Sequence, residues 1–227
     1  MQLKSNAQPD YRRSASDIFW GNKWLWTAIL LAIATLLSIA KPVVLSDGGA
    51  VTYFSLFFLW LVTFFYGTKH GLLAGFLFGF LKLYVTYATG EYVNFEPGAL
   101  VLEYPVACAV VALGGFVHER SVDPYAVVQP RDGGAIKREP WKLRLGYLVG
   151  VAAMGVCYVI SAVLFYPPDV EGFFGNLLYC IMYDFSYLTI EAVLTLLLLC
   201  IPPLVRAVYY LKHVATTEKS DPSLVSF

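Results

Sequence analysis

Six long apolar runs constrain this chain more than anything else in it. They cover residues 25–41, 51–66, 71–87, 99–117, 145–165 and 177–201. A helix needs about 20 mostly apolar residues to cross a bilayer, and several of these runs reach that length. Only 14% of the residues are charged and 58% are hydrophobic, where soluble domains run near 25% charged. The sequence therefore predicts an all-α integral membrane protein with six transmembrane helices. The expected organisation is an N-terminal tail over 1–24, a membrane domain over 25–205 and a C-terminal tail over 206–227.

Orientation follows from the basic residues. Fourteen of the 16 lie in the N-terminal tail, the connection after the second run, the 118–144 loop and the C-terminal region. The connections at Ser46–Gly49, Thr89–Gly98 and Tyr166–Asn176 hold no Lys or Arg, and only Lys41 and Lys82 fall outside the basic set. The positive-inside rule then places both termini and the 118–144 loop in the cytoplasm, which requires an even number of spans. That loop carries Pro124, Pro130, Gly133, Gly134 and Pro140, the composition of a polar linker between two three-helix halves. A polar stretch with no early apolar core makes the first 24 residues a cytoplasmic tail rather than a secretory signal.

Zero formal net charge argues against nucleic acid as a partner. Cys108, Cys157, Cys180 and Cys200 lie in apolar runs without ligand spacing, so no metal site is expected. His70, His118 and His213 fall at cytoplasmic helix ends, and no nucleophile, zinc or phosphate-loop motif occurs. No catalytic residue and no cofactor is expected. Gly71, Gly75 and Gly79 form a small-residue stripe, as do Ala28 and Ala32. Such stripes let a second helix approach closely; the glycines are expected to pack internally, and the alanines are candidates for docking a partner.

Charges within the apolar runs carry the functional signal, because each costs about 2.5–3.5 kcal/mol to insert. Lys82, Glu103 and Asp184 all map to the outer half of the bilayer, with Glu191 seven residues below Asp184 on nearly the same face. Tyr84, Tyr87, Tyr92, Tyr104, Tyr158, Tyr166, Tyr179, Tyr183 and Tyr187 lie at the same level. An interfacial aromatic belt explains tyrosines but not carboxylates. Tyrosines around carboxylates suit a flat cationic or amino-bearing heterocycle. Two other readings stand beside this one. A Lys82 ion pair to Asp184 or Glu103 would only hold helices together, and a proton relay through Glu103, Asp184 and Glu191 would make a self-sufficient proton-coupled secondary transporter.

At Leu102-Glu103-Tyr104-Pro105-Val106-Ala107, followed by Leu113-Gly114-Gly115, the chain resembles the thiamine-specific substrate-binding (S) components of energy-coupling factor transporters. Tyr66-Gly67 with the glycines at 71, 75 and 79, and the alanine pair, resemble the same family. The resemblance implies a six-helix protein of a prokaryotic plasma membrane. Such a protein takes a vitamin from outside and works with a coupling transmembrane subunit and ATPases. It implies that Glu103 binds the aminopyrimidine of thiamine, with Tyr104 beside it and Tyr179 at a ligand-contacting position. Asp184 stands where the family has a binding asparagine and adds a charge suited to a cation. Tyr158 replaces a histidine at the thiazolium end, and Tyr166 replaces a stacking tryptophan. The resemblance also implies that Ala28 and Ala32 press against the coupling subunit.

Overall fold

A computed structural model describes residues 22–45, 49–118, 141–166 and 172–216. Residues 1–21 and 217–227, most of the central loop and most of the basic residues that orient the chain lie outside the described residues. The described part is helical apart from one small hairpin and short connections, such as that over 89–96. Helix α1 (Lys23–Ile39) leads into β1 (Val43–Val44) and β2 (Ala50–Val51), then α2 (Ser55–Tyr66) and α3 (Thr68–Ala88). A composite helix α4 (Pro97–Val117) follows, then α5 (Trp141–Phe165), α6 (Phe173–Leu198) and α7 (Pro202–Thr216). Each expected apolar run carries a helix. Four of them, α3 to α6, are long and apolar enough to cross a membrane alone, whereas α1 and α2 are shorter.

Helix α2 explains its own brevity. Twelve residues at about 1.5 Å each span roughly 18 Å, well short of the roughly 30 Å hydrocarbon layer. Its sequence is apolar all round, so it belongs at the centre of the bundle. Leu56 to Phe65 are buried except for Phe58, and Trp60 is wholly enclosed. Around it pack α1, α3, the end of α4, α5 and α7.

The glycines of α3 pack internally, as their spacing suggested. A Cβ on Gly75 would stand 2.4 Å from the Cys108 carbonyl oxygen, and one on Gly79 would stand 2.4 Å from Pro105 Cα. Helix α3 therefore touches the backbone of α4 directly. In lipid, where apolar burial does not drive helices together, such close backbone contact supplies the association. By contrast Ala28 and Ala32 are both exposed on the outer face of α1.

The C-terminal region differs from the tail expected from sequence. Pro202 and Pro203 end α6, since proline lacks the N–H and crowds the carbonyl four residues back. Arg144 donates to the freed Leu199 carbonyl at 3.0 Å. The chain then turns into α7, whose Val205, Val208, Lys212 and Ala215 are buried. The Lys212 ammonium lies 4.1 Å from the centre of the Phe64 ring, a cation–π contact. The Tyr66 hydroxyl donates to the Ala215 carbonyl at 3.1 Å. Helix α7 thus closes the end of the bundle beneath α2.

Candidate functional site

The site begins with a proline. Pro105 sits inside α4, where it removes one backbone donor, and the helix responds with a π turn over Leu102–Val106. Beyond it the helix tightens into a 3-10 segment over Val111–Val117. One-turn π bulges change which way neighbouring side chains face and recur at functional sites. Here the bulge carries Glu103 and Tyr104, and Gly79 lets α3 lie against it.

Glu103, Tyr104, Tyr158, Tyr166, Tyr179 and Asp184 all line one cavity of about 650 Å³, within the usual size range for small-molecule sites. They come from α4, α5, the residue after α5, and α6. The Glu103 carboxylate accepts the Ser161 hydroxyl at 2.7 Å and the Tyr166 hydroxyl at 3.4 Å. Burial and the neighbouring Glu103 push the Tyr166 phenol above its ordinary range, so it remains a neutral donor. Across the cavity the Tyr187 hydroxyl donates to Asp184 Oδ1 at 3.1 Å. Asp184 Oδ2 is buried without a hydrogen-bond partner among the described residues.

The tyrosines of α6 form a continuous wall. Tyr179 and Tyr183 stack with centroids 6.2 Å apart and planes 8° apart. Tyr183 meets Tyr187 edge to face, and Tyr187 lies 6.3 Å from Tyr158. Spacing of three to four residues puts all three α6 rings on one face. The hairpin covers this wall. Gly49 N–H donates to the Tyr183 hydroxyl at 3.0 Å, and a Cβ on Gly49 would stand 2.9 Å from the Tyr187 ring. Only glycine allows the hairpin to come so close.

Lys82 does not make the ion pair considered from the sequence. Its ammonium donates to the Tyr158 hydroxyl at 2.7 Å, and the one ion pair among the described residues joins Lys41 to Glu91. Both of those residues line the cavity, and neither was among the site candidates read from the sequence. Their signal was weak, because Lys41 is the last residue of the first apolar run and Glu91 lies in the Thr89–Gly98 connection, where a charge costs little. Glu191 has a structural task. It accepts the Thr52 hydroxyl at 2.7 Å and the Leu56 N–H at 3.1 Å. Its negative charge thereby sits at the N-terminus of α2, where unpaired amides and the helix dipole favour it.

Two tyrosines of the expected cluster turn away. Tyr84 and Tyr87 are 71% and 65% exposed, on the opposite side of α3 from Lys82 and Thr86, which line the cavity. Helical periodicity separates the two sets, and depth alone could not. None of the three histidines lines the cavity. Among the described residues no group of His, Cys, Asp and Glu is placed to hold a metal. What remains is a tyrosine-walled chamber with carboxylates at two of its sides, a setting that suits flat, donor-bearing or cationic molecules in general.

Comparisons with known proteins bear on this chamber. Residues 24–211 match a family described as thiamine transporter protein. No curated protein sequence matches the chain. Among solved structures, the fold is similar to that of ThiT from Listeria monocytogenes, with a TM-score of 0.61 and 18% identity, covering 84% of this chain and 96% of that one.

Proposed function

Because the chain belongs to the thiamine transporter protein family, we propose that its chamber is the thiamine site of an S component, the membrane subunit that captures a vitamin for uptake. The observation that carries this reading is Glu103, turned by the Pro105 bulge into a chamber otherwise walled by tyrosines. A carboxylate oriented by the Ser161 hydroxyl accepts hydrogen bonds from an exocyclic amino group such as that of the aminopyrimidine. Tyr104, Tyr158, Tyr166 and Tyr179 offer faces and hydroxyls to the rings. Asp184 supplies the second charge. Binding and release are sufficient for this task, and no bond need be made or broken.

Calorimetry tests the reading. Purified protein titrated with thiamine should bind one equivalent. Glu103→Gln keeps shape and one acceptor but removes the charge, so affinity should fall by about 1.5–3 kcal/mol, roughly ten- to a hundredfold. No saturable binding to the unaltered protein, or unchanged affinity in the variant, would remove thiamine or Glu103 from the proposal.

The proposal extends to orientation. Six spans would put both termini on one side, and the distribution of basic residues favours the cytoplasm of a prokaryotic cell for the termini and residues 118–144, with the chamber opening outward. A cysteine introduced at Asp132 or Gly133 should stay unlabelled by a membrane-impermeant maleimide in intact cells and react after permeabilisation. Labelling in intact cells would invert the protein and turn the chamber to the wrong face. In such a membrane the exposed Ala28/Ala32 stripe is the docking face for a coupling transmembrane subunit driven by ATPases.

A further inference from the structure

Four carboxylates line the chamber, and they differ in how the protein treats them. Glu91 is paired with Lys41. Glu191 has both oxygens engaged at the start of α2. Glu103 holds the hydroxyls of Ser161 and Tyr166, and the Lys82 ammonium acts on it. Asp184 receives a single hydroxyl, from Tyr187, at Oδ1. Its Oδ2 is buried and without a hydrogen-bond partner among the described residues, and the residue is only 6% exposed. The formal charge that acts on it is Glu103, of the same sign. Three of the four negative charges are thus compensated within the protein, and the fourth is not.

We propose that Asp184 is the counter-ion of the ligand's cationic ring, and that this contact makes the site demand a permanent positive charge. The inference rests on the thiamine reading above and adds to it a direction and a selection rule. An uncompensated buried carboxylate is costly unless a cation meets it. A thiazolium is quaternary and has no N–H proton to lose, so it satisfies Asp184 near neutral pH without a proton transfer. Tyr183 and Tyr187 beside Asp184 offer ring faces that also attract a cation, whereas the Tyr158 ring already carries the Lys82 ammonium. Lys82 works in the other direction: held on the Tyr158 hydroxyl, its ammonium acts on Glu103, disfavours a second cation there and leaves that end for the neutral, donor-bearing aminopyrimidine. The ligand is therefore ordered by charge, with the amino ring at Glu103 and the cationic ring at Asp184.

The test crosses ligand charge with side-chain charge. Thiamine and an uncharged isostere, in which a thiophene replaces the thiazolium, are titrated calorimetrically into the unaltered protein, Asp184→Asn and Glu103→Gln. The unaltered protein should prefer thiamine by at least roughly tenfold. Asp184→Asn should weaken thiamine by roughly ten- to a hundredfold while leaving the isostere within about threefold, so that the preference for charge disappears. Glu103→Gln should weaken both ligands alike. Equal affinity of the unaltered protein for the two ligands overturns the proposal even if the Asp184 variant does not fold. So does an equal loss of both ligands in Asp184→Asn, or loss of charge preference in Glu103→Gln instead. Failure of the unaltered protein to bind either ligand would instead sink the thiamine reading itself.

Discussion

Gly79→Val is expected to abolish thiamine binding although the side chain at 79 never enters the chamber. A Cβ there would lie 2.4–2.5 Å from Pro105 Cα, Pro105 N and the Tyr104 carbonyl carbon. These are backbone atoms, so no rotamer change relieves the clash and the two helices must separate. Ordinary overpacking costs about 1–3 kcal/mol; here the displaced group is the π turn that carries Glu103, so loss of geometry compounds loss of stability. Gly79→Ala should already lower the melting temperature in detergent, and Gly79→Val should remove the calorimetric signal. Phe80→Ala, one residue along at a position half exposed, controls for a general effect on α3 and should change binding little. Wild-type affinity in Gly79→Val would mean that α3 and α4 are not in contact at this point.

The second large effect separates capture from transport. Ala28→Trp/Ala32→Trp should leave thiamine affinity within about twofold, because both positions are exposed on the side of α1 away from α2 and neither lines the chamber. Uptake by cells carrying this double variant should fall to background, since two indoles a turn apart prevent a second helix from approaching within backbone contact. The expected pattern is intact calorimetry, lost co-purification with the coupling subunit and lost uptake. Normal complex assembly would make the alanines ordinary lipid-facing surface, and lost binding in the isolated protein would mean that α1 supports the chamber more directly than its packing indicates.

These expectations draw on two kinds of information. Apolar run length by itself determined the helices: each run at 25–41, 51–66, 71–87, 99–117, 145–165 and 177–201 coincides with one, to within a few residues. It did so because a bilayer leaves the backbone little choice but to bond within its own segment. The glycine period on α3 likewise announced a close helix contact, and Glu103 and Asp184 announced themselves because charge in an apolar run needs a reason. Hydrophobicity and period are properties of one segment, and one segment suffices to read them.

Which charge does what was decided by tertiary structure. Glu191 and Asp184 lie seven residues apart on nearly one face of α6 and look alike in sequence, yet Glu191 ties down the start of α2 while Asp184 keeps an oxygen free in the chamber. The difference comes from Thr52 and Leu56, which are more than 130 positions away in the chain and meet α6 only in the folded bundle. The same holds for Lys82, whose partner is a tyrosine hydroxyl on α5 rather than a carboxylate. It holds also for α7, where a short amphipathic segment became a packed helix because α2 exposes Phe64 and Tyr66 to it. A charge placed in low dielectric takes its role from the nearest groups that can meet it, and those neighbours are set by how the helices pack rather than by the segment that carries the charge.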